Sequence, residues 1–169
     1  MNTAEMIGSV MVRDLRAARR EIEAYDHEAD LWRLSPTIPN SAGTLALHLA
    51  GNMRHFIGTV LGGTKYVRNR DAEFAARDVP RVEVLRELDA AVADVNAVVP
   101  HLTEAQLAAT FPVPVAGHRA VTEDVLIHLV AHLGYHVGQM DYHRRALTGN
   151  SKSIGAMAPG ELRSATPAT

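Results

Sequence analysis

The chain has no cysteine among its 169 residues. Disulfides and thiolate metal sites are therefore excluded, and any nucleophilic sulfur must come from another molecule. It also lacks a charge of either sign in excess: 17 Lys and Arg face 19 Asp and Glu, a net charge of −2, which gives no global pull on nucleic acid. The basic run "RDLRAARR" (13–20) lies in a helical-looking stretch that also carries Glu21 and Glu23, and reads as a solvated face. No apolar run reaches the roughly 18 residues of a membrane span, and the N-terminus has no basic region followed by an apolar block. The expectation is a cytoplasmic protein with no membrane and no nucleic-acid partner. Sustained strand alternation and internal repeats are missing too, which leaves helices.

Helices are amply signalled. Residues 3 to about 33 carry Met6, Val10, Leu15, Ile22 and Leu31 near helical spacing with no proline, until "SPTIPNS" (35–41) breaks the pattern. Ser41 can cap a second helix over about 42–62, ended by "GG". The polar, aperiodic "TKYVRNRDAEFAARDV" (64–79) reads as a loop. Pro80 suits the first turn of a third helix to about Val99, with Val82, Leu85, Leu88, Val92 and Val95 inside. Thr103 and Gln106 have capping-box spacing for a short helix. A long fourth helix then has Thr122 as its N-cap, Glu123 and Asp124 at its positive end, Arg144 and Arg145 at its negative end, and Gly149 as its stop. Four long helices and one short accessory helix point to an all-α four-helix bundle over residues 1–150. Residues 151–169, rich in Gly, Ser, Pro and Ala, read as a C-terminal loop or partly disordered tail.

The informative segment is "HLVAHLGYHVGQ" (128–139), with His128, His132 and His136 four residues apart. A step of four turns about 40° around a helix and rises about 6 Å, so neighbours can share one ion, whereas the outer two lie about 12 Å apart. The pair is either His128 with His132 or His132 with His136, and a further ligand must come from another helix. The second helix supplies His48 and His55, a heptad apart. One histidine among nine is ordinarily a hydrogen-bonded core residue. Three stacked imidazoles in a bundle are costly unless a cation satisfies their nitrogens. The chain contains neither the Glu-x-x-His of di-iron bundles nor H-E-x-x-H. What remains is a mononuclear centre of neutral imidazoles with a position left open, the arrangement that brings bound water near pKa 7, polarises a carbonyl or stabilises a thiolate.

"NSAGTLALHLAGNMRHFIGTVLGG" (40–63), "RNRDAEF" (68–74) and "HLGYHVGQMDY" (132–142) together resemble the DinB-like (DinB/YfiT) superfamily, most closely a branch described only as a domain of unknown function. The resemblance covers about residues 3–150. It implies an up-down-down-up four-helix bundle, frequent homodimers, and one divalent metal ion, zinc or nickel, held by His48, His132 and His136. His128 then falls a turn outside the triad, beside the site or in the core, and His55 becomes structural or pocket-lining. Asn52, His128 and Gln139 are candidates to support the ligands from behind, with helix packing the competing role for Asn52 and Gln139. Tyr135 and Tyr142 read as packing residues, and "RNRDAEF" as a source of ion pairs within its loop or of contacts across a dimer.

By resemblance, the function is that of a metal-dependent enzyme. It would either transfer a low-molecular-weight thiol such as mycothiol or bacillithiol to a small-molecule electrophile, or hydrolyse a small substrate. The rival is a non-enzymatic, stress-associated metal-binding dimer, whose site a fourth protein ligand would close. No residue is singled out as catalytic base: Glu123 and Asp124 lie too near the helix start, and the reacting group is expected to be water or thiolate on the metal.

Overall fold

Asn2 opens the first helix with a reciprocal cap, its side chain accepting from the Glu5 N–H while the Glu5 carboxylate accepts from the Asn2 N–H. The computed structural model describes residues 2–168. Helix α1 (Thr3–Glu23) buries Met11, Leu15 and Ile22 and ends at Glu23, well short of residue 33. The stop comes from distant residues: Asn150 Nδ2 donates to the Ala24 carbonyl at 3.0 Å and Arg81 donates to the Tyr25 carbonyl at 2.7 Å, so carbonyls past the helix end are satisfied without another turn. A 3-10 turn, Glu28–Trp32, then buries Leu31 and Trp32.

Ser41 caps α2 (Ala42–Met53), accepting from the Thr44 N–H at 3.2 Å. The helix runs on without a break into a π-helical stretch, Arg54–Leu61, and stops at Gly62 and Gly63, the latter at φ 71°. The stretch expected to be a loop contains a short helix, α3 (Arg70–Ala75), whose N-cap Asn69 accepts from the Ala72 N–H. Helix α4 (Arg81–Val98) follows Pro80 and buries Val84, Leu88, Ala91 and Val95. Val82, expected inside, is exposed, as is much of Met6. The Thr103–Gln106 capping box begins α5 (Glu104–Ala108), so there are two short α-helices rather than one. Helix α6 (Thr122–Thr148) has Val121, not Thr122, at its N-cap. The Thr122 hydroxyl instead donates to the Ala109 carbonyl, tying α6 to the end of α5. Gly149 ends α6 in the left-handed conformation, φ 73°.

The structure is all-α. Among the described residues there is no strand, only isolated bridges such as Thr110 with Val121. Helices α1 and α2 each pack against both α4 and α6, and the core runs between them through Leu15, Leu49, Leu88 and Leu133. No described helix is long and apolar enough to cross a membrane. After residue 150 the chain returns along α1: Arg20 donates to the Ile154 carbonyl and pairs with Glu161, and the Arg163 N–H donates to Ser9 Oγ.

Candidate metal centre

The packing of α2 on α6 brings His48 against His132 and His136. The two α6 histidines lie on adjacent turns of one helix, and their Nε2 atoms are 3.1 Å apart. His48, buried on α2, places its Nε2 3.3 Å from that of His132. One ligand atom from each of the three lies within 4.8 Å of the other two.

The outer nitrogens determine what the inner ones can do. Nδ1 of His48 lies 3.1 Å from Glu73 Oε2, a carboxylate that only accepts, so Nδ1 carries the proton and Nε2 is a bare lone pair facing inward. Nδ1 of His136 donates to Gln139 Oε1 at 2.6 Å, with the same result for its Nε2. His132 Nε2 therefore sits between two acceptors. Protonated, it would leave its Nδ1 as a bare lone pair. Unprotonated, it makes three lone pairs converge. Nδ1 of His132 and Oδ1 of Asn52 are both buried and meet no protein partner. Burial, then the neighbouring imidazoles of His136, His48 and His128 and the Arg68 charge, lower the His132 pKa to about 4. Burial also lowers that of His136, against the hydrogen bond to Gln139 and with help from His48. Both rings are neutral near pH 7, the form that binds a metal.

Such a donor set fits a divalent cation. Zn–N bonds of 2.0–2.1 Å at tetrahedral angles separate ligand nitrogens by about 3.3–3.4 Å, close to the 3.1 and 3.3 Å spacings here. A cation would satisfy three lone pairs that hydrogen bonds cannot satisfy together.

Glu73 was not singled out from the sequence, nor was Arg68, although both lie in or beside "RNRDAEF". Glu73 comes from α3, is buried, and is gripped by a two-pronged bond from Arg68, whose Nε and Nη2 each donate at 2.8 Å. Burial pushes the Glu73 carboxyl up, but hydrogen bonds from Arg68 and His48 outweigh it and hold its pKa below the ordinary value. Phe74 packs on the His48 ring, centroids 4.7 Å apart.

The remaining candidates fall outside the triad. His128 is exposed, its ring stacked on His132 with centroids 6.3 Å apart. His55 is half-buried against Phe56 and feels the Arg68 charge, but it is not among the three residues whose nitrogens converge. Tyr135 and Tyr142 are exposed rather than packed. A cavity of about 260 Å³, lined by Leu45, Gln139, Tyr142, His143 and residues 37–40, shares Gln139 with the centre.

Residues 6–161 match a family model described as a protein of unknown function, DUF1572. The chain belongs to the DUF1572 family. The matched span takes in every part of the centre, from His48 through Arg68 and Glu73 to Gln139. No curated protein matches the sequence.

Proposed function

We propose that this DUF1572 chain is a DinB-like, up-down-down-up four-helix bundle over residues 1–150, in which His48, His132 and His136 hold one divalent metal ion, zinc or nickel. In this reading it is a metal-dependent enzyme acting on a small molecule in the cytoplasm, as a homodimer. The observation that carries the reading is the convergence of three Nε2 atoms at 3.1 and 3.3 Å, with the protons of two rings held outward by Glu73 and Gln139.

Two features favour an enzyme over a closed, non-catalytic site. The group of potential ligands among the described residues contains three side chains and no fourth, and three-ligand centres are those that leave a position for exchange. Beside it lies a cavity of about 260 Å³ with Gln139 in its lining. When bound, the ion would act as a Lewis acid toward a carbonyl or would stabilise an external low-molecular-weight thiol as its thiolate. The chain's own residues keep the two α6 imidazoles neutral and hold the His48 and His136 rings aimed. With no cysteine of its own, it leaves thiol transfer to a bound cofactor such as mycothiol or bacillithiol, and hydrolysis is the other reaction such a centre supports.

Elemental analysis of untagged protein purified without chelator tests the centre. Wild type and His128→Ala are expected to carry one divalent ion per chain. His48→Ala, His132→Ala and His136→Ala are expected to lose most of it while keeping their helical circular dichroism. A wild-type protein that takes up neither zinc nor nickel would overturn the reading.

A further inference from the structure

The acidic residue that holds His48 comes from a different segment, and α2 has a gap that admits it. A Cβ built on Gly51 would lie 2.1 Å from Glu73 Oε1 and 3.2 Å from the Tyr66 hydroxyl. Any side chain at position 51 would thus occupy the space of the carboxylate. The segment bearing Glu73 is fastened to the same helix elsewhere: the Thr59 hydroxyl donates to the Tyr66 carbonyl at 2.8 Å, the Arg54 guanidinium lies 4.0 Å over the Tyr66 ring, and Phe74 lies on His48. Glycine in "HLAGN" and glutamate in "RNRDAEF" are two halves of one contact.

Arg68 gives that contact its consequence. Its Nη2 lies 2.8 Å from Glu73 Oε2 and also 3.2 Å from His48 Nδ1. A guanidinium has no lone pair to offer. With Glu73 present, His48 Nδ1 donates to the carboxylate. With Glu73 removed, the remaining neighbour within hydrogen-bonding distance of Nδ1 among the described residues is a donor, Arg68, which favours a ring that accepts there and carries its proton on Nε2, the atom that faces His132.

The geometry points to Glu73 as a positioning residue that sets the tautomer of His48, admitted by Gly51 and restrained by Arg68, so that "RNRDAEF" is a working part of the centre rather than a loop brace. This rests on the three-histidine reading above. It adds that the centre's affinity for metal is set by a residue that does not touch the ion.

Two measurements on the full-length chain test it. The first is zinc affinity by chelator competition. Glu73→Ala and Gly51→Ala should bind about 10- to 100-fold more weakly than wild type, the range over which partners behind a ligating histidine act. Glu73→Gln, whose amide oxygen can still accept from Nδ1, should recover part of the loss. The double variant Glu73→Ala/Arg68→Ala should bind more tightly than Glu73→Ala, because the competing donor is gone. The second is the His48 tautomer in metal-free protein by ¹⁵N imidazole NMR: Nδ1–H in wild type and Nε2–H in Glu73→Ala. A purely structural Glu73 would lower stability without moving the tautomer. Unchanged affinity in Glu73→Ala, or an unchanged His48 tautomer, overturns the assignment. Wild type that binds no zinc overturns the metal reading instead, and the NMR arm still decides the role of Glu73.

Discussion

Tyr25 and His143 show how much a single buried contact specifies. Nε2 of His143 lies 2.9 Å from the Arg33 carbonyl, which can only accept, so Nε2 carries the proton, and Nδ1, 2.6 Å from the Tyr25 oxygen, accepts the phenolic hydrogen. Both side chains are buried. Tyr25→Phe leaves that lone pair without a donor, and is expected to cost about 1–3 kcal/mol in denaturant unfolding. Burial lowers the His143 pKa, opposed by the bond to the Arg33 carbonyl and reinforced by the Arg33 charge. The unfolded chain takes up its proton near the ordinary histidine value of about 6.5 while the folded one resists. This contribution to stability is therefore complete above that pH and is lost as the pH falls through the lowered folded value. A His143→Gln variant should show a correspondingly flatter stability profile below about pH 6.5, and a profile parallel to wild type would refute the assignment. The legibility of the candidate centre follows the same logic. His132 and His136 can be read together because i, i+4 is a local relation. Glu73, 25 residues from His48, and Arg68 become partners of that ring only once α3 lies across α2.

At the scale of elements, side-chain caps and glycine stops were legible, whereas boundaries set by distant residues were not. Ser41 and Thr103 cap α2 and α5 as their side-chain chemistry requires. The end of α1 was not legible, because no glycine or proline marks it and Asn150 and Arg81 supply the stop. Helix α3 was missed for a related reason: its short span has too little apolar periodicity, and what holds it is an Asn69 cap and the burial of Glu73. The junction of the 3-10 turn with α2 gives a test. A Cβ on Gly43 would come 2.7–2.8 Å from three atoms of the Trp32 ring, and an indole cannot fold out of the way. Gly43→Ala is expected to cost about 1–3 kcal/mol, lowering the melting temperature by several degrees; an unchanged melting curve would show that the ring and α2 separate freely.

For the whole molecule, the proposed homodimer has an available face. Helix α6 leaves Ile127, Tyr135 and Tyr142 more than half exposed, whereas the opposite side of the same helix supplies Leu129, Leu133, Val137 and Met140 to the core. Light scattering at working concentration should give twice the chain mass, and Tyr135→Lys should shift it toward the monomer. A monomeric wild type would count against assembly. The all-α class was legible because strand alternation is absent and helical spacing recurs. The side-to-side arrangement of the helices depends on contacts such as Arg144 with Glu21, both fully buried, at 2.7 Å, which no local pattern announces.

That ion pair spans 123 residues, and it bears on how the chain is made. At about 5–20 residues per second, Glu21 is synthesised roughly 6–25 s before its counter-ion. Burying the Glu21 carboxylate without its partner costs about 3–5 kcal/mol, which favours leaving that end of α1 in water until α6 arrives. Sealing the Glu21 end of the first helix into the core is thus coupled to the arrival of the final turns of α6.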